Sequence, residues 1–567
     1  MGPTSRPLNV LCRSSTAITA GEARSGRSNY EIGRVTAPAT APDAGAPSRT
    51  ERAAQKVPCK CVHRDRFREC RVSAPAEWVV RGFAVGRVWC GGQVSGRGSC
   101  DVTRVLIAGG GFAGLATALF LARRGHVATV VERDGPPPDG TPSDDVERWL
   151  HPGVPQAHQS HAVLGRARRI LIDEAPDLVA SLVARGVHEI PVVVGAGALR
   201  GEQMLLCRRL VAEAELRRFV AREPNVSLLA GDAVIGLRVS SRGSVPVVTG
   251  ADLMSGRSLD ADLVVDASGR RSALPVWFSQ AGLNAPLEEQ QDCGFFYITR
   301  YYRVKTGAEL PVSKIPASVA LDYATVFALG ADNDTFSLTV TLSVNDPYRR
   351  ALREPTCFEA FLHAVAHSEP WLRVGVPISN ISTMSRIENR RRRLMTNDGP
   401  IVGGIVAIGD AALHTNPTLG RGISMGLIHA QHLAEVADGA SDDPVGFVAT
   451  FAEWTDTHLG VWYDTQVAAD ANALDRLAAG VLGQRLELPD TPPARFAAAA
   501  FLCASQDETV GVAVAKMAHL FAHPAQAFGD PLVASRINAF IDSGASLDRP
   551  FDVPNRKSFE ALVTATL

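Results

Sequence analysis

Residues 105–132 read VLIAGGGFAGLATALFLARRGHVATVVE, and this order of apolar strand, glycine turn, helix and second strand predicts a βαβ unit that grips a dinucleotide. Gly109, Gly111 and Gly114 fit the spacing GxGxxG. The first permits a tight turn, the second lets backbone approach a pyrophosphate, and the third lets the helix pack close to the sheet. Glu132 ends the second strand, where a carboxylate accepts hydrogen bonds from ribose hydroxyls. A glycine turn in an α/β core without ligand is the plainer alternative, and the unit alone does not choose between NAD and FAD.

The 567 residues are enough for two or more domains, and 46% hydrophobic content with a net charge of -1 describes an ordinary globular chain. No apolar run approaches the roughly 18 residues of a spanning helix, so membrane insertion is not expected. Charge is uneven: residues 1–100 carry 16 Lys and Arg against 7 Asp and Glu, leaving 42 against 52 downstream. That first stretch is rich in Arg, Gly, Ser and Pro and lacks periodicity, so residues 1–101 are expected to be a disordered N-terminal extension, with translation starting near Val102. A basic nucleic-acid arm or a transit peptide are the weaker readings, and no nucleic-acid partner is expected. Cys59, Cys61, His63 and Cys70 lack the second pair a zinc site needs, so no metal is expected. Cys207, Cys293, Cys357 and Cys503 are widely spaced and suit reduced thiols in a cytoplasmic protein.

Two later stretches resemble ligand edges. ADLVVDASGRRS, from Ala261, is a buried strand ending in Asp266, a small-residue turn and two arginines. IVGGIVAIGDAALHTNPTLGRGISMG, from Ile401, is another buried strand, with Gly409 and Asp410 at the carboxyl end where open α/β sheets gather ligands. Asp410 suits a polyol chain, while Pro417, Gly420 and Gly422 keep the next loop tight and free of bulk. A helix opening near Gly422 would aim free N–H groups at a flat ring and favour negative charge on it. A capping aspartate is the alternative for the Gly-Asp pair alone.

At GGGFAG (109–114), DASGRRS (266–272) and GDAALHTNPTLGRG (409–422), the chain resembles the single-component flavoprotein monooxygenases of the aromatic hydroxylase type, which have a glutathione-reductase-like FAD fold. The resemblance spans Val102 to Gly439. It implies an α/β fold in which a Rossmann-like FAD-binding domain (102–290 and 395–445) carries an inserted antiparallel β-sheet substrate domain (291–394). A helical C-terminal region (446–567) follows. It also implies FAD as cofactor, with Gly109, Gly111 and Gly114 at its ADP half, Glu132 on the ribose, Arg208 on the phosphates, Val234 against adenine, Asp410 on the ribityl chain, and Gly420 and Gly422 beside the ring. Arg209, Arg217 and Arg218 are read as a solvated helix face. The implied reaction is insertion of one oxygen atom from O2 into a small apolar or aromatic substrate through a flavin C4a-hydroperoxide, with NADH or NADPH as reductant. No acid-base pair is needed for it, and no catalytic residue is singled out.

Two departures keep alternatives open. Ser268-Gly269 stands where hydroxylases of this type carry Asp-Gly, which puts direct reduction by a nicotinamide in question and admits an FAD-dependent reductase, dehydrogenase or halogenase. The WxWxIP pattern of halogenases is missing, since Trp371 has no second tryptophan in place. An extra residue in the Gly-Asp loop sets His414 before Asn416-Pro417, where a surface or capping role is expected.

Strands FFYITRYYRV, SVALDYATVFAL and DTFSLTVTLSV predict an antiparallel sheet. Phe295, Tyr297 and Tyr301 share one face and Phe296, Ile298 and Tyr302 the other. One aromatic face is expected to roof the flavin over an apolar pocket, without a choice between the two. His151, His158 and His161 precede a helix expected near Ser160 and are read as flavin contacts or caps. Arg390–Arg393 read as a solvated loop, and beyond Gly439 the chain reads as helical with no legible chemistry.

Overall fold

The strand Arg104–Ala108 holds the centre of a five-stranded parallel sheet, between Val127–Glu132 and Leu263–Asp266. Val226–Ala230 extends the first side and Ile405–Ala407 the second. The register sets Ala108 beside Asp266 and Asp266 beside Ala407, so three distant segments leave the sheet side by side at its carboxyl edge. Ile107, Leu263, Val264 and Ile405 are fully buried, as parallel strands covered on both faces require. The structure is a computed structural model that describes residues 102–138, 149, 151–241, 243–311, 317–487, 489, 491–547 and 553–567. The expected N-terminal extension and its cysteine-histidine group lie outside the described residues.

The glycine turn feeds the helix Phe112–Arg123, which packs against the helix Gly422–Val436 through small residues. A Cβ on Gly426 would stand 3.1 Å from that of Ala113, so the two helices meet almost backbone to backbone.

A six-stranded antiparallel sheet runs in the order Ser318–Ala320, Ala324–Gly330, Thr335–Ser343, Phe295–Val304, Gly375–Pro377, with Ser382–Met384 also on Phe295–Val304. The structure makes the choice that alternation left open. Ile298, Tyr302, Phe336, Leu338, Val340 and Leu342 pack into a second core with Phe358, Phe361 and Phe559. The opposite face carries Tyr297, Thr299 and Tyr301 beside Thr341, Thr339 and Ser337.

Arg390–Arg393 are a strand, not a solvated loop. Glu388–Arg393 pairs with Leu287–Asp292 so that Arg392 opposes Glu288 and Arg391 opposes Glu289, and cross-strand attraction accounts for four consecutive arginines. Beyond Gly439 the described residues are mostly helical, with Pro444–Thr455 and Val461–Val481 joined by one π-helical turn at Asp456–Gly460. Among the described residues no helix is long and apolar enough to cross a membrane. Cys207, Cys293, Cys357 and Cys503 are buried free thiols.

Candidate functional site

The glycines of the first turn do different work. Gly109 has φ +111°, and a Cβ there would lie 2.5 Å from the Ala267 carbonyl oxygen, so the first and second turns touch. At Gly114 a Cβ would fall 2.0 Å from the Gly109 carbonyl oxygen, which explains why the helix can start so close to the strand. Gly111 faces open space: within 4 Å its Cβ would meet only Arg209 Nη2, at 3.9 Å. A pyrophosphate needs that clearance, and Gly111 also heads a helix with no side-chain cap, leaving its first N–H groups for an anion. The Gly110 N–H donates to Glu132 Oε2 at 2.5 Å and the Asp134 N–H to Oε1 at 2.8 Å, fixing the carboxylate at the rim of the turn. The Gly231 and Asp232 N–H groups both donate to the Glu132 carbonyl, which sets the buried Val234 just beyond that same end of the sheet.

The arginines need reassignment. Arg208 N-caps the helix Arg209–Val220, and its Nη2 donates to Asp332 Oδ2 at 2.7 Å in a fully buried ion pair. Its charge is spent on Asp332, and Arg209, read from sequence as solvated, is the arginine that reaches Gly111. Neighbouring positions differ by about 100° around a helix, and two arginines at its first turn cannot be phased from sequence. Arg209 Nε also donates to Glu213 Oε2 at 2.9 Å. Glu213 Oε1 lies 2.6 Å from His151 Nε2, and His151 Nδ1 lies 2.6 Å from Asp134 Oδ2. Trp149 stacks on the imidazole at 4.6 Å. His151 is thus the centre of a buried chain of alternating charge, not a cap. Burial opposes its protonation, but Glu213, Asp134 and the charge of Glu132 prevail and raise its pKa. Arg217 is buried as well, and burial lowers its pKa.

The far end is built by the third motif. Gly409 has φ +54°, and its Cβ would stand 3.2 Å from that of Ala113; a Cβ on Gly422 would lie 3.6 Å from Asp410 Oδ1. Asp410, Gly420 and Gly422 therefore gather beside the first helix, and Gly420, at φ +66°, has no neighbour within 4 Å of its missing side chain. His429 Nδ1 accepts from the Gly409 N–H at 3.1 Å, and burial drops its pKa to about 3, so it stays neutral and holds the turn from behind. In the first turn of the helix Gly422–Val436, Ser424 is fully buried with no protein partner for its hydroxyl. Arg421, the N-cap, lies 5.1 Å over the Trp462 ring, and burial brings its pKa down to about 10. An orphaned hydroxyl, two open glycine positions and an uncapped helix start fit an elongated dinucleotide with a flat polar ring at one end.

His414 is buried rather than superficial. Its Nδ1 donates to the Glu388 carbonyl at 2.6 Å, and burial lowers its pKa. No helix starts at Ser160, since the next one begins at Gly165. The Ser160 hydroxyl instead lies 2.7 Å from those of Ser337 and Thr339. Thr299 donates to Gln159 Oε1 at 2.7 Å and Tyr301 to the Gln159 carbonyl at 2.8 Å. Hydroxyls dominate the sheet face expected to roof an apolar pocket, and they bind the 159–161 segment to it. His161 is held neutral there, its pKa lowered to about 4 by burial.

Sequence reading missed Asp470 and Gln466 altogether. Both lie on the helix Val461–Val481 and touch the 416–418 turn. The signal available was a polar pair one helical turn apart, both turned inward.

Residues 104–218 match the family described as FAD dependent oxidoreductase. Over 372 residues the chain is 28% identical to Protein Rv3254 of Mycobacterium tuberculosis, covering 60% of this chain and 74% of that protein. It is 27% identical over 363 residues to 6-hydroxy-3-succinoylpyridine 3-monooxygenase HspB of Pseudomonas putida, covering 60% and 81%. Among solved structures, the flavin-dependent brominase Bmp2 superposes with a TM-score of 0.53 at 15% identity, over 78% of this chain and 99% of that one. That likeness speaks for the fold alone. With the family match over residues 104–218 and three glycine turns brought to one edge of the sheet, the chain is an FAD-dependent oxidoreductase.

Proposed function

We propose that this enzyme is a monooxygenase that inserts one atom of O2 into a small apolar or aromatic organic substrate, with NADH or NADPH as the source of electrons. The observation that carries this reading is the meeting of three glycine turns at one sheet edge, with a phenol of the antiparallel sheet, Tyr297, hydrogen-bonded to Asn416 of the third motif. The likeness to HspB along 81% of its length supports oxygen insertion over plain dehydrogenation.

FAD would supply the redox and oxygen chemistry when bound. On this reading Gly109, Gly111 and Gly114 admit its diphosphate, with Arg209 in the place expected of Arg208. Glu132 holds the adenosine ribose, Val234 lines the adenine end, Asp410 takes the ribityl chain, and Gly420 and Gly422 leave room for the ring. Residues 102–290 and 395–445 form the cofactor domain, 291–394 the substrate sheet and 446–567 a helical C-terminal region. The setting is the cytoplasm, where buried thiols remain reduced.

The test is direct. The purified protein should show flavin absorption bands that NADH or NADPH bleaches, and with isotopically labelled O2 the label should enter the product of an accepted aromatic compound. A flavin-loaded protein that oxidises substrates without incorporating label would exclude the monooxygenase and leave a dehydrogenase.

A further inference from the structure

Helix Val461–Val481 delivers a carboxylate to the back of the third motif. Asp470 is 2% exposed, and Oδ2 accepts from Asn389 Nδ2 at 2.7 Å. Its Oδ1 accepts from Asn416 Nδ2 at 2.8 Å, from Gln466 Nε2 at 2.9 Å and, more loosely, from the Thr418 hydroxyl at 3.4 Å. Gln466, one turn earlier, donates to Thr418 Oγ1 at 2.8 Å as well. The Asn416 N–H donates to Asn389 Oδ1 at 2.8 Å, and Tyr297 donates its phenolic proton to Asn416 Oδ1 at 2.5 Å.

Every hydrogen bond in this set has a fixed direction, because the ionised carboxylate only accepts. It turns the Asn416 amide so that its nitrogen faces Asp470 and its oxygen faces Tyr297. The amide in turn fixes the phenol, which is buried among Phe295, Met384 and Leu477. Arg421 feels the charge of Asp470.

We infer that Asp470 is a positioning residue for the flavin: through Asn416 it locks the 416–418 turn and the Tyr297 hydroxyl into one rigid unit beside the ring, and its negative charge tunes the ring's readiness to accept electrons. This rests on the flavin reading above. Nothing in the sequence places a residue so far downstream at the cofactor, and the geometry requires only the hydrogen bonds just given.

The experiment uses the full-length holoenzyme and Asp470→Asn, which keeps the volume and removes the charge. Flavin content, the visible spectrum, the flavin reduction midpoint, and the rate at which dithionite-reduced protein reoxidises in air-saturated buffer are compared with the parent; none requires the substrate. The expected result is full flavin content with a shifted spectrum, an altered reoxidation rate and a reduction equilibrium about tenfold more favourable, about 30 mV for a two-electron couple. Flavin bound at parent levels with spectrum, midpoint and reoxidation unchanged would overturn the inference and leave Asp470 a packing residue. If Asp470→Asn does not fold, Tyr297→Phe carries the test. It severs the same unit at its other end and should perturb the spectrum and reoxidation rate, and a silent Tyr297→Phe overturns the inference equally. A parent protein that binds no FAD would sink the flavin reading itself, a distinct outcome.

Discussion

Arg208 and Arg209 answer to different partners at adjacent positions, the first to Asp332 and the second to Glu213 and the open turn at Gly111. Arg208→Ala leaves Asp332 buried without its partner, a loss of about 3–5 kcal/mol, and should appear as a lower urea midpoint. Arg209→Ala should bind FAD roughly tenfold to a hundredfold more weakly, the worth of a hydrogen bond to a charged group at about 1.5–3 kcal/mol, read by flavin titration of apoprotein, and should also lower the urea midpoint, because it removes a partner of the buried Glu213. The histidines split by sign. His429 and His161 have folded values near 3 and 4, below the ordinary histidine value, so the unfolded chain binds the extra proton. Their stabilising contribution is complete above about pH 6.5 and is lost as pH falls. Melting temperature should therefore drop between pH 6.5 and 4, with a shallower slope in His429→Gln. His151, with a raised value, stabilises fully below the ordinary histidine pKa and loses that effect as pH climbs through the folded value. His151→Phe should accordingly be most damaging near pH 6 and least near pH 9 in thermal melts.

At the scale of elements, the strand Glu388–Arg393 ties the Gly409–Ala411 turn to its surroundings. Arg392 donates from Nη1 to the Ala411 carbonyl at 2.7 Å and from Nε to Glu288 at 2.7 Å, while Arg391 lies 4.4 Å over the Tyr463 ring. Arg392→Ala should loosen the Gly409–Ala411 turn, lowering both the urea midpoint and FAD affinity, whereas exposed Arg373→Ala should change neither. This strand also shows where reading the sequence stopped short. The glycine turn, the two buried strands and the antiparallel sheet were legible because periodicity and glycine spacing are local. Four arginines carry no pattern of their own, and their strand state comes from Glu288 and Glu289, a hundred residues upstream. Ser160 likewise looked like a cap because its partners, Ser337 and Thr339, are tertiary. The sheet's orientation was illegible for a related reason: both faces carry aromatics, and distant helices cover each, Pro355–Ala364 and Arg556–Thr566 the Ile298 face and Val461–Val481 the Tyr297 face.

In the whole molecule, the last described helix clamps the antiparallel sheet. Arg556 Nη1 donates to Asp346 Oδ2 at 2.5 Å, and its guanidinium lies within 5.5 Å of the Tyr323, Tyr348 and Phe559 rings. Arg556→Ala strands Asp346, which is fully buried, and should destabilise the sheet by about 3–5 kcal/mol, measured as earlier loss of near-ultraviolet dichroism on heating, while FAD stays bound at low temperature. The carboxyl edge of the parallel sheet was readable from three motifs, yet its support from residues 461–481 was not, because inward-facing polar side chains on an alanine-rich helix look like any other. Synthesis runs from the amino end, and the helix bearing Asp470 and Gln466 leaves the ribosome after every glycine motif has emerged. In a chain made in that order the turn at 416–418 meets its hydrogen-bonded support only after the whole parallel sheet has been synthesised, so the third motif is the last of the three to be braced.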